Sequence, residues 1–234
     1  MMKYEKKGDI SYTLGTTLTF ELLLRKPEVA KRIYISEKQK RDETYDKLVA
    51  LAKKNHIQII ENNQKIFSLS EKENTFVIGE FQKFRTEKTP SGNHVILLSP
   101  SNMGNLGTIF RSCAAFNVDF LGIVRPAADA FDPKCVRSTM GAIFSLPFSY
   151  FDSFEEYQKV MGERHLYPFM LQTDHFLKET KKEKPYSLIF GNEATGLPAS
   201  FLKIGTPIKI EQSSKVDSLN LDNAVSIGIY SFLD

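Results

Sequence analysis

The chain has 234 residues, 41% of them hydrophobic and 25% charged, with a net charge of +3 and two cysteines. That length accommodates one large domain or a small one joined to a medium one, with enough core to fold without staples. No apolar run is long enough to span a bilayer, MMKYEKKGDISYTL has no apolar signal core, and Cys113 and Cys135 lack metal-ligand or disulfide spacing, so a membrane, exported or disulfide-scaffold protein is not expected and the cytoplasm is.

Residues 16–24 read as a helix stopped by Lys26-Pro27. Residues 31–36 (KRIYIS) read as a strand. Tyr45, Leu48, Val49 and Ala52 fall at i, i+3, i+4 and i+7, the spacing of an amphipathic helix. Residues 57–60 and 75–78 are short strands. Together they predict a small α/β domain over residues 1–84. RTEKTPSGN, residues 85–93, then reads as a linker, rich in charge and in turn residues. Lys83 and Arg85 beside it are candidates for phosphate contact, although solvation is the commoner use of such residues.

From residue 94 the rhythm is strand, loop, helix. Residues 94–98 (HVILL) form a continuous apolar run, as in a strand buried on both faces. Further strands are expected at 120–124, 167–171, 187–190 and 207–210. Helices are expected from about Asn105 and over residues 219–232. This alternation predicts a mostly parallel sheet with helices on both faces, residues 94–234 forming one domain. Such sheets bind ligands at the C-terminal ends of their strands.

Three loops lie at that edge. In SPSNMGNLGTIFR, Asn105 stands where a helix cap is expected and Arg111 lies two turns further on. Gly104 and Gly107 hint at a dinucleotide loop, but the three-glycine fingerprint is incomplete. In FGNEATGLP, Gly191 and Gly196 flank Glu193, consistent with backbone approaching a ligand or with a tight turn. In IEQSSKVDSLNLDNA, Ser218 and Asn220 precede the last helix, where capping is the default reading. The histidines, His56, His94, His165 and His175, are scattered without metal-ligand pairing, and no nucleophile elbow is present.

Taken together, Asn105-Leu-Gly-x-x-x-Arg111, Gly191-Asn-Glu193-x-x-Gly196 and Ser218-Leu-Asn220 resemble, in order and spacing, the three signature motifs of the SpoU (TrmH-like) RNA 2′-O-ribose methyltransferases of the trefoil-knot SPOUT superfamily. The segment Arg137-Ser138-x-x-Gly141-Ala142 with Leu146-Pro147 is similar to the family's connecting region. The first domain is similar to the ribosomal-protein-like RNA-binding domain that often precedes the catalytic one. Met103-Gly104 and Glu211 depart from the family, which has an acidic residue with proline, and a proline, at those places.

The resemblance implies a C-terminal deep trefoil knot, which neither periodicity nor spacing shows, and a homodimer with RNA across the subunit boundary. It implies S-adenosylmethionine as methyl donor, held around Leu171, Thr173, Gly191, Asn192, Gly196, Ile210 and Leu219, without a metal. Arg111, Asn105, Glu193, Ser218 and Asn220 would form the catalytic set, with Glu193 holding Arg111 or accepting from the substrate. Lys83, Arg85, Lys134 and Arg137 are the candidates for RNA contact. Ribosomal RNA is the expected substrate, with transfer RNA or a non-catalytic RNA- or ribosome-binding role as alternatives. A nicotinamide-dependent oxidoreductase is disfavoured by the incomplete glycine fingerprint.

Overall fold

A computed structural model describes residues 4–61, 75–85 and 91–233. The chain divides into two compact units: Met1–Phe84 with Asp129–Ser145, and Arg85–Ala128 with Leu146–Asp234. Residues 86–90 of the expected linker lie outside the described residues.

In the first unit the part up to residue 84 contains β1 (Ile10–Leu14), α1 (Thr16–Arg25), β2 (Ala30–Ile35), α2 (Glu43–Lys54), β3 (Gln58–Glu61) and β4 (Val77–Gln82). The sheet order is β1-β4-β2-β3, with β4 antiparallel to both neighbours and β3 parallel to β2. Asp42 starts α2 by accepting from the backbone N–H groups of Thr44 and Tyr45, both at 3.1 Å. α1 lies close on β4 because Gly79 has no side chain: a Cβ there would sit 2.6 Å from Thr13 Oγ1 and 3.1 Å from Thr19 Cγ2.

Residues 129–145 belong with this unit, whereas the sequence reading keeps them in the second domain. The reason is aromatic. Phe131 and Phe144 pack edge-on or tilted against Phe81 and Phe84, with centroids 5.2–6.4 Å apart. Their short helix, Pro133–Ser138, is capped by Asp132 and has Pro133 in its first turn.

The second unit is built on β5 (His94–Leu98), β6 (Phe120–Val124), β7 (Phe148–Phe151), β8 (His165–Pro168) and β9 (Tyr186–Phe190), all parallel, in the order β7-β6-β5-β9-β8. Its helices are α3 (Met103–Ala115), α4 (Phe154–Met161) and α5 (Leu221–Ser231). Ile96, Phe120 and Ile189 cluster with Phe154 and Tyr157 of α4 on one face of the sheet. On the other face Phe110 of α3 meets Phe148 edge-on at 4.9 Å. α3 and α5 join through the Ser112 and Ser226 hydroxyls, 2.8 Å apart. A buried chain, His94 Nδ1 to Tyr157 OH at 2.8 Å and Tyr157 OH to Ser187 Oγ at 2.6 Å, ties α4 to two strands. Burial pushes the Tyr157 phenol up to about 12.

Three expectations are corrected. α3 begins at Met103, not near Asn105, because Asn102 rather than Asn105 is its cap, accepting from Gly104 N at 2.8 Å and Asn105 N at 3.1 Å. Residues 207–210 form no strand. They make only isolated parallel bridges, Phe169 with Ile208 and Phe176 with Lys209. The strand expected at 167–171 ends at Pro168.

Candidate active site

The site lies within the second unit, at the C-terminal ends of β5 and β9, and Glu193 is its centre. β9 runs into Gly191, where a Cβ would meet Gly196 C at 2.1 Å and Leu197 N at 2.3 Å. Only a residue without a side chain lets the chain double back so tightly. The return is fastened by Gly196 N donating to Asn192 O at 2.9 Å, with Gly196 at φ +67°. Asn192 fixes the loop from inside. Its Nδ2 donates to Ser99 O at 2.7 Å, and its Oδ1 accepts from Ala194 N at 2.8 Å.

This turn aims the Glu193 carboxylate at the loop after β5. Oε2 accepts from Ser101 N at 3.0 Å and Ser101 Oγ at 2.9 Å. Oε1 accepts from Asn102 N at 3.1 Å and from Asn105 Nδ2 at 3.3 Å. Partial burial works to raise the carboxyl, but the hydrogen bonds from Ser101 and Asn102 outweigh it, and the group is held below the usual glutamate range.

Asn105 Nδ2 also donates to Asn220 Oδ1 at 3.3 Å, and that oxygen accepts from Leu221 N at 3.0 Å at the start of α5. Asn105, Glu193 and Asn220, one from each motif, therefore converge on one cluster. Ser218 is exposed beside it.

A cavity of about 220 Å³ adjoins the cluster. Leu171, Gly191, Asn192, Gly196, Ile210, Ser218 and Leu219 line it, as does Glu193. Thr173 does not line it. Its hydroxyl accepts from His175 N at 3.2 Å instead. Sequence reasoning passed over Gln172 and Gln212, which also line the cavity. Gln212 Nε2 donates to Asp217 O at 3.0 Å, closing the loop that carries Ser218. Nothing in the local spacing signals that bond.

Arg111 is exposed on α3, and its guanidinium makes no hydrogen bond or ion pair with a described residue. Among the described residues Glu193 does not hold Arg111: its donors come from residues 101–105 and Asn192. Of the RNA candidates, Lys83 is engaged inside the first unit. Its Nζ donates to Glu5 O at 3.3 Å and Lys6 O at 2.9 Å, and stands 4.6 Å over the Tyr4 ring. Arg85 and Lys134 are exposed and Arg137 is half-buried. Among the described residues no helix is long and apolar enough to cross a membrane, and no acidic, histidine or cysteine cluster could hold a metal ion.

Comparison with known proteins gives this geometry a family. A provisionally named tRNA (cytidine(34)-2′-O)-methyltransferase of Listeria monocytogenes is 30% identical over 147 residues, covering 60% of this chain and 86% of that protein. RlmP, a 23S rRNA guanosine 2′-O-methyltransferase of Bacillus subtilis, is 30% identical over 148 residues, covering 62% of this chain and 59% of RlmP. An AdoMet-bound rRNA methyltransferase of Sinorhizobium meliloti shares the fold with a TM-score of 0.78 at 23% identity, over 96% of this chain and 87% of that one. The model of the SpoU rRNA Methylase family matches residues 92–230, which contain all five parallel strands and all three motifs. The chain belongs to the SpoU rRNA methylase family.

Proposed function

We propose that this chain transfers a methyl group from S-adenosylmethionine to a ribose 2′-hydroxyl of RNA. The observation that carries the reading is the junction of Asn105, Glu193 and Asn220 beside a glycine-framed cavity. RNA is the fitting substrate class because DNA lacks the 2′-hydroxyl.

The cavity suits the donor. Met170, Leu171, Leu197 and Leu219 offer apolar wall, and the tight return from Gly191 to Gly196 brings main chain rather than side chain to the surface. When bound, the donor supplies a methyl group on a sulfonium that is already a good leaving group. The chain's own work is to hold the donor, align the ribose and ease the loss of one proton. Alignment of reacting atoms is worth about 7–11 kcal/mol of barrier.

Asn105 is positioned for that alignment. Its amide nitrogen is spent on Glu193 and Asn220, which turns its carbonyl oxygen toward a partner able to donate, such as a ribose hydroxyl. Arg111 is a poor base, since guanidinium holds its proton to a pKa above about 12. Its chemistry is that of a cation stabilising a developing alkoxide, or of a fork gripping a neighbouring phosphate. Glu193 acts through the loop it fastens. The donor would be held by Leu171, Gly191, Asn192, Gly196, Ile210 and Leu219, with Ser218 at the rim.

Family likeness supports a C-terminal trefoil knot and a homodimer. An Arg111 without a partner among the described residues, and the exposed Ile227, Tyr230 and Leu233 at the C-terminal end, are consistent with a second copy completing the site. Relatives that act on ribosomal and on transfer RNA match about equally well. The similarity of the first unit to a ribosomal-protein-like RNA-binding domain favours ribosomal RNA, modified in the cytoplasm.

The test is Arg111→Ala. Methyl transfer to RNA from cells lacking the gene should fall at least a hundredfold while calorimetric binding of S-adenosylmethionine stays within twofold of wild type. Near-normal turnover would end the assignment. Mapping 2′-O-methyl sites lost from ribosomal and transfer RNA of those cells identifies the substrate.

A further inference from the structure

We infer that Arg125, which none of the three motifs includes, is a phosphate-binding residue for the RNA strand entering the site. The inference rests on the proposed RNA reading. Arg125 follows β6 directly, at the same sheet edge as the reaction loops. Three backbone hydrogen bonds fix its segment. Ser99 N donates to Val124 O at 3.0 Å, Ala128 N to Pro100 O at 2.7 Å, and Arg125 N to Phe151 O at 2.9 Å. The first two tie residues 124–128 to the loop whose next residues, Ser101 and Asn102, hold Glu193. Arg125 thus stands on a frame continuous with the candidate catalytic cluster, not on an independent surface loop.

Its side chain is also oriented. The guanidinium carbon lies 4.7 Å from the centroid of the Tyr150 ring, and the Tyr150 hydroxyl donates to Ala128 O at 2.7 Å, so the ring it rests on is itself anchored. Half of the Arg125 side chain, 53%, remains accessible. Its nearest acid, Asp152, stands 3.5 Å from Nη1 and is 87% exposed, a contact that contributes little and yields readily to a stronger acceptor. A planar cation supported on one face by a tied ring and open along its edge matches the bidentate demand of a phosphodiester. It carries no information about the base, so it positions any strand that passes.

The experiment uses the full chain, with ribosomal RNA and transfer RNA purified from cells lacking the gene as separate probes. RNA affinity is measured over a range of KCl concentrations, and S-adenosylmethionine affinity by calorimetry. Arg125→Ala should weaken binding of the preferred RNA about fivefold or more near 0.1 M salt. The slope of log affinity against log salt should become shallower by about 0.7–0.9, the loss of one phosphate contact. Arg125→Lys should keep the slope, because it keeps the charge. Donor affinity should not change in either variant. An unchanged RNA affinity and slope in Arg125→Ala overturns the inference, as does loss of donor binding, which would make the residue a structural part of the frame. Wild-type protein that binds neither RNA overturns it too. Wild-type protein that binds RNA in this way but transfers no methyl group sinks the proposed function and leaves the phosphate contact standing.

Discussion

Asn105 donates its side-chain amide to Asn220 Oδ1 over 3.3 Å, joining the first motif to the third across 115 positions of sequence. The same nitrogen reaches Glu193 Oε1 at 3.3 Å, so one amide group is the hub of all three motifs. The bond also links the start of α3 to the start of α5, helices that pack side by side and share the Ser112–Ser226 contact. If this link is energetic as well as geometric, Asn105 and Asn220 are coupled. A double-mutant cycle of Asn105→Ala and Asn220→Ala should show about 0.5–1 kcal/mol of interaction in urea unfolding. Asn220→Ala alone should cost about 1 kcal/mol more than a surface substitution, because α5 also loses its cap. Strict additivity in the cycle would show that the hub transmits nothing.

Glu193 sets a pH dependence whose sign follows from its environment. Its folded carboxyl lies below the ordinary value, because the Ser101 and Asn102 donors outweigh the opposing effect of burial. A depressed folded pKa stabilises the fold fully above the unfolded value of about 4.3, and that stabilisation disappears as pH falls through the folded value. Glu193→Gln should therefore cost about 1–3 kcal/mol at pH 7, since hydrogen bonds to a charged acceptor are lost and an amide N–H faces other donors. The difference from wild type should shrink steadily below pH 4.3. Urea midpoints at pH 7 and pH 3.5 measure both numbers, and a gap that stays constant across that range contradicts the charge argument.

These relationships explain what the sequence could and could not disclose. Residues 94–98 and 120–124 were readable because strands buried on both faces must be apolar throughout, and β5 and β6 match that reading residue for residue. β7 was not readable. FSYF is only four residues long, and its two middle residues are half-buried at the sheet edge. The docking of Phe131 and Phe144 on Phe81 and Phe84 is a long-range event that no local pattern announces. At the site, Asn105, Glu193 and Asn220 were legible as a set through family likeness. Their junction was not, because it depends on Asn102 taking the capping duty that spacing alone would give to Asn105.

Gly191 is required by space and not by a left-handed backbone. A Cβ there would lie 2.1–2.3 Å from main-chain atoms of Gly196 and Leu197, which cannot yield as a flexible side chain would. Gly191→Ala should open the Asn192–Gly196 turn, move the cavity wall and weaken S-adenosylmethionine binding at least tenfold by calorimetry. Overpacking of this kind costs about 1–3 kcal/mol, so a lowered melting temperature should accompany it. A variant that binds the donor as well as wild type would show that the tight return has no part in the cavity.

Gly228 places α5 against the cavity floor. A Cβ at this position would meet Phe169 Cζ at 2.7 Å and Phe190 Cζ at 2.9 Å. Those two rings stack 4.2 Å apart, and both line the cavity. The obstacle is side chain, so the structure can yield, by moving rings that line the cavity. Gly228→Ala has opposing parts: alanine favours a helix interior by about 1 kcal/mol over glycine, whereas the ring clash costs about 1–3 kcal/mol. The net loss of stability is therefore about 0–2 kcal/mol, less than the clash alone, and the cavity should register the rest. Donor affinity should fall severalfold while urea unfolding shows a loss of no more than about 2 kcal/mol. A large loss of stability with intact donor affinity would mean that α5 has shifted as a body and the rings have kept their places.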